Sequence, residues 1–132
     1  MADVVSEFFV KTLAESSALS TVEGRVWDSE PPVSQNTPLV YPMVIFEMSE
    51  GIRDRYVPYE RYFASVHFLS SVSFAECRQL YEAARPLLDK SYTTTDGRNF
   101  NINEVAVPTQ TSGTSPQPTY AVSSRFYIQV LG

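Results

Sequence analysis

The sequence predicts an α+β fold: an antiparallel-rich β-sheet with two amphipathic helices packed mainly on one of its faces. Two segments repeat apolar residues at helical spacing, and several others concentrate β-branched and aromatic residues over strand lengths. The resulting order is helix, short strand, strand, strand, helix, strand, strand, which places neighbouring strands in hairpins and leaves the helices to cover the sheet. At 132 residues the chain is expected to form a single domain, 1–132.

Asp3 is placed to cap a first helix whose Val4, Val5, Phe8, Phe9 and Leu13 form an apolar stripe, before "ESSALS" loosens it. A short strand is expected around Arg25–Trp27. Pro31 and Pro32 end it and open a loop that runs to Pro38. In "YPMVIFEMS" the residues Val44, Ile45 and Phe46 favour a covered strand, with Pro42 tolerable at its start.

"ERYFASVHFLSS" alternates as that strand's antiparallel neighbour. Tyr62, Ala64, Val66 and Phe68 fall on one face, and Phe63, Ser65, His67 and Leu69 on the other. Residues 49–60 become the hairpin tip. Ser73 to Glu76 matches a capping box, in which hydroxyl and carboxylate each satisfy a backbone amide. It opens a second helix with Phe74, Cys77, Leu80, Tyr81, Ala84, Leu87 and Leu88 on one stripe. Pro86 lacks an amide donor and is expected to kink or end that helix near Arg85. After an Asp96-Gly97 turn, "FNINEVAVPTQ" and "TYAVSSRFYIQV" form a closing hairpin. The tip between them, Thr111–Pro118, has no large apolar residue and is expected to be mobile.

Composition bounds the function. A hydrophobic fraction of 43% against 19% charged residues supports a folded core rather than a disordered chain. The single cysteine, Cys77, excludes an internal disulfide or a multi-cysteine zinc site and fits a cytoplasmic setting. Acids precede the apolar patch at the N-terminus, unlike a signal peptide, and no apolar run reaches membrane-spanning length, so no membrane association is expected. The net charge of −5 is concentrated in residues 1–50, with eight acids against two bases, whereas residues 51–132 carry seven acids and eight bases. A field of that sign opposes general nucleic-acid binding.

His67, the lone histidine, reads first as a packed strand residue and second as a base; Cys77, on an apolar stripe, reads first as a buried hydrophobe and second as a nucleophile. The five glycines are too scattered for a phosphate loop, and the clustered carboxylates Glu47, Glu50 and Asp54 lack a metal-ligand pattern. No catalytic residue, cofactor or metal is therefore assigned. The stretch "SEGIRDRYVPYERY" stands out. Its Arg53, Asp54, Arg55, Tyr56, Tyr59 and Arg61 combine forked hydrogen bonding with rigid amphipathic area, the residue types enriched at protein contacts. A protein interface comes first, a merely solvated tip second and a base-stacking platform third.

The chain resembles the tail-terminator, or tail-completion, family of long-tailed bacteriophages and gene-transfer particles. The resemblance spans nearly the whole sequence. It rests on a first helix followed by "GRVWDSEPP", then "PLVYPMVIFEMSE", a polar hairpin, "RYFASVHFLS", the helix "SFAECRQLYEAARPLLD" and a closing hairpin. The Tyr41-Pro42 order, Pro86 and the Thr111–Pro118 tip depart from the pattern. What the resemblance implies is a tail-terminator-like fold and a non-enzymatic virion protein. Such a protein forms a ring, of six copies, on the head-proximal end of the tail tube. It stops addition of the major tail-tube protein and joins the tail to a head connector or neck protein, while DNA passes through its channel without specific binding. A virion position in the tail or neck follows, after assembly in the host cytoplasm. A neck or head-completion adaptor ring is the near alternative, and a nucleic-acid-binding module using residues 49–62 the remoter one.

Overall fold

A computed structural model describes residues 2–14, 17–28, 41–49, 52–53, 59–89, 91–93, 99–113 and 119–131. The fold is α+β, as expected. Helix α1 (Ala2–Ala14) leads through a short 3-10 helix (Ser17–Val22) into β1 (Val26–Asp28), followed by β2 (Met43–Met48), β3 (Ile52–Arg53) and β4 (Tyr59–Ser70). Helix α2 (Phe74–Leu88) precedes β5 (Ser91–Thr93), β6 (Asn99–Glu104), β7 (Thr109–Gly113) and β8 (Thr119–Leu131).

The sheet is built around the long antiparallel pair β4–β8, registered without interruption from Tyr59↔Leu131 to Ser70↔Tyr120. At one end of that pair the order is β1-β2-β4-β8-β7, and at the other β3-β4-β8-β6-β5. Among the described strands only β1 runs parallel to its neighbour. The sheet broadens because each flank of the central pair carries two shorter strands laid end to end.

Breaks in the ladder separate those shorter strands. Between Met48↔Ala64 and Ile52↔Arg61 one extra residue is accommodated on the β2–β3 side. Ser49 repairs the bulge: its amide donates to the Phe63 carbonyl at 2.8 Å, and its Oγ accepts from the Phe63 amide at 2.9 Å. On the other flank "FNINEVAVPTQ" is not one strand. Residues 105–108 bulge out between β6 and β7, with the Val105 amide donating to the Arg125 carbonyl at 2.9 Å.

The buried row Tyr62, Ala64, Val66, Phe68 on β4 and Val122, Phe126, Ile128, Val130 on β8 meets both helices in one apolar cluster. Phe9 of α1 stacks on Phe46 of β2 with centroids 5.3 Å apart, and Tyr81 of α2 meets Phe68 edge-on at 5.9 Å. These contacts hold the helices on one face of the sheet. Before β1 the chain turns through positive φ at both Glu23 (52°) and Gly24 (77°), where an open surrounding leaves backbone conformation as the reason for glycine at position 24. Arg25 then donates from Nε to the Pro42 carbonyl at 3.0 Å, tying the start of β1 to the approach to β2.

Several expectations need correction. Helix α1 begins at Ala2, so Asp3 lies inside its first turn rather than capping it. The 3-10 helix and β5 were not foreseen. Pro86 sits inside α2, which continues to Leu88 because Ala84 and Leu88 are both fully buried and packing outweighs the one missing donor. The final tip is shorter than expected, since Thr111–Gly113 are paired with β8; residues 114–118 lie outside the described residues, as do 29–40.

The capping box also differs in one half. The Glu76 amide donates to Ser73 Oγ at 3.2 Å, as expected, but the return contact is relayed through Ser70. Ser70 Oγ donates to Glu76 Oε1 at 2.9 Å and accepts from the amides of Val72 and Ser73 at 2.9 and 3.4 Å. One fully buried hydroxyl thus joins the end of β4 to the start of α2.

Candidate functional site

Strand alternation divides the sheet into a helix-covered face and a second face on which no described helix packs. Across β4 and β8 that second face carries Phe63, Ser65, His67 and Leu69 beside Ala121, Ser123, Arg125, Tyr127 and Gln129. Its side chains are mostly half-buried, with Arg125 and Glu47 exposed.

Phe63 and Tyr127, directly opposed, pack at 5.3 Å with their rings tilted by 49°. The Arg125 guanidinium lies over the Phe63 ring, 4.3 Å from its centroid. Gln129 Nε2 donates to Tyr127 Oη at 3.3 Å. Arg61, further along the same face, is half-buried, and its Nε is a buried donor with no acceptor among the described residues. The face is therefore a rigid aromatic surface edged with guanidinium groups.

Of the sequence-predicted interface residues, Arg53, Tyr59 and Arg61 lie on described strands. Asp54, Arg55 and Tyr56 lie outside the described residues. By register, Tyr59 and Arg61 belong to the alternation class of the uncovered face, continuous with Phe63, while Arg53 pairs with Glu60 in the opposite class. Ile52 and Arg53 are a paired strand, so the tip expected over 49–60 is shortened. Phe63, Arg125 and Tyr127 escaped attention because cross-strand neighbours are distant in sequence. The available signal was the polar-aromatic alternation of both long strands.

His67 Nδ1 lies 2.7 Å from Ser123 Oγ, and its Nε2 is 4.0 Å from Glu47 Oε2. Serine, histidine and carboxylate in one row have the ingredients of a nucleophile and base. Among the described residues the rest is lacking: the acid stands beyond hydrogen-bonding distance, and the surrounding β4 and β8 amides belong to central strands paired on both sides, leaving no convergent donors for an oxyanion. Cys77 is buried and donates its thiol to the Tyr120 carbonyl at 3.3 Å. Burial, reinforced by Glu76, raises its pKa, favouring the unreactive thiol over the thiolate.

A second polar cluster closes the seam between α2 and the sheet. The Glu104 carboxylate accepts hydrogen bonds from Tyr81 Oη and, at 2.8 Å, from Ser124 Oγ, and lies 3.5 Å from Arg85 Nε. Asp89 Oδ1 accepts from the Glu104 amide at 3.2 Å. Burial first, and the bond to Glu104 second, push the Tyr81 pKa up to about 12. The cluster fixes the strand end just before the 105–108 bulge, which projects Val107 at 84% exposure.

The three-dimensional arrangement is similar to that of a chain in the virion of a native gene transfer agent particle. The likeness has a TM-score of 0.62 at 13% identity and covers 95% of this chain and 92% of that one. At that identity it establishes a shared fold. No protein-family model matches the sequence, and no curated protein matches it.

Proposed function

We propose that the chain is a structural virion protein of a long-tailed phage or gene-transfer particle. In this reading it forms a ring of six copies that caps the head-proximal end of the tail tube. The single observation that carries the reading is the whole-length likeness to a gene transfer agent virion component, which agrees with the tail-terminator pattern of elements in the sequence. One domain, 1–132, accounts for the chain.

The physical requirement is asymmetric. A tube grows because every ring presents the same adhesive face, so a terminator must bind that face and offer a different one outward. Contact surfaces, not reaction chemistry, perform this task. The second face and residues 49–62 supply aromatic area, guanidinium groups and, at Arg61 Nε, a donor whose acceptor is unmet among the described residues. Arg53, Asp54, Arg55, Tyr56, Tyr59 and Arg61 are assigned to contacts with the neighbouring subunit, the major tail-tube protein or the head connector. The acidic balance of residues 1–50 suits a channel that DNA traverses without adhering.

Reversing charge at Arg53 and Arg55 together tests the assignment. The R53E/R55E protein is expected to keep its circular-dichroism spectrum and to lose tail completion. Normal tail completion by the folded variant would remove those residues from the interface.

A further inference from the structure

Across the uncovered face, Glu47 on β2, Ser65 on β4 and Arg125 on β8 form one row. Their spacing matters. Glu47 and Arg125 stand on the two strands flanking β4, about 10 Å apart at the usual strand spacing, and are not paired with each other. Glu47 is 60% exposed and comes within 4.0 Å of His67 alone among the described cations; Arg125 has no carboxylate within ion-pair distance among the described residues. An acid and a base thus stand symmetrically on either side of a central strand, on an aromatic surface that no described helix covers.

We propose that this face docks a second copy of the chain, the two copies being related by a two-fold axis running along β4. Such an axis exchanges the two flanks of the strand. Glu47 of each copy then lies over Arg125 of the other, and two reciprocal ion pairs form from residues that are not paired within one copy. Ser65, the β4 residue of that row, lies near the axis between the pairs, and Phe63, the next residue on the same face of β4, meets its own counterpart beside them as an apolar contact. Aligned sheets cross at about 30°. With Glu47 and Arg125 only about 5 Å from the axis, that twist displaces the partners by roughly 2.5 Å, within the reach of an arginine side chain.

Overlaid by that axis, β2 and β3 on one side, β4, and β8 on the other span roughly 14 by 40 Å along the twelve residues of β4, and β1 with β7 widen the overlap at one end towards the roughly 800 Å² per partner of a stable interface. A two-fold contact closes after two copies, whereas a ring needs head-to-tail contacts. The pair is therefore the state of the unassembled chain, and the inference goes beyond the ring reading rather than depending on it.

Sedimentation equilibrium of the purified protein and of E47R, R125E and E47R/R125E tests it, with circular dichroism establishing that each variant is folded. The wild type is expected to be dimeric. Each single reversal sets like charges against each other at both contacts and weakens association roughly tenfold or more; the double variant recreates opposite charges and recovers most of that loss. A monomeric wild type, an association that neither single reversal weakens, or a double variant no tighter than the singles would overturn the proposal.

Discussion

Replacing Glu104 by alanine removes the acceptor that holds α2 to the end of β6. The Glu104 side chain is 12% exposed, and of its partners Tyr81 and Ser124 are buried, so those two cannot simply turn to water. Tyr81, 8% exposed, loses its acceptor outright, while Ser124 Oγ keeps a weaker contact to the Ala106 carbonyl at 3.4 Å. A hydrogen bond to a charged group contributes about 1.5–3 kcal/mol. The Arg85 contact adds little, because that side chain is 55% exposed and solvent screens it to about 0–1 kcal/mol. The expected loss for Glu104→Ala is about 2–4 kcal/mol. Urea unfolding measures it, with Tyr81→Phe and the double variant completing a thermodynamic cycle. Coupling of about 1 kcal/mol or more is expected for residues in one network. A Glu104→Ala protein within about 0.5 kcal/mol of wild type, the range of ordinary surface substitutions, would refute the view that this carboxylate clamps helix to sheet.

The same phenol predicts an alkaline limit. With its folded pKa raised to about 12, Tyr81 contributes stability that is fully present below the unfolded value near 10 and is lost as pH rises through about 12; a pH series of unfolding midpoints should show this decline in wild type and lose it in Tyr81→Phe. Ser70→Ala strips the amides of Val72 and Ser73 and the Glu76 carboxylate of one shared partner, and should cost about 1–3 kcal/mol by chemical denaturation. Cys77 should resist alkylation in the native protein and react fully once unfolded; fast native labelling would contradict its burial. Phe46→Ala removes a fully buried ring stacked on Phe9 and should cost about 3–5 kcal/mol, read from the same denaturation curves.

Much of the architecture was legible because periodicity is local. The stripe through Cys77, Leu80, Tyr81, Ala84 and Leu88 announces α2, and the alternation in Tyr62–Phe68 assigns the buried face of β4 correctly. What escaped is set by tertiary context. Pro86 is a strong local signal against a helix, yet its neighbours Ala84 and Leu88 are anchored in the core, so the helix passes through it. The bulges at Ser49 and at 105–108 depend on how each flank must bend around β4 and β8, which no single segment encodes.

The candidate surface was half-legible for a related reason. Arg61 belongs to a sequence-local cluster and was visible, whereas Phe63, Arg125 and Tyr127 become neighbours only through the β4–β8 register. Ser70 illustrates the same limit at a smaller scale. Sequence predicts a reciprocal contact between Ser73 and Glu76, but only the bond from the Glu76 amide to Ser73 forms directly, and the buried Ser70 hydroxyl takes both the Glu76 carboxylate and the Ser73 amide.

Growth of tail tubes from purified major tail-tube protein tests the proposed capping most directly. Added in slight excess over tube ends, the protein is expected to halt elongation and to appear in averaged electron micrographs as a six-fold ring at one end only. Tubes that continue to lengthen at the uninhibited rate, with no density added at either end, would contradict the account.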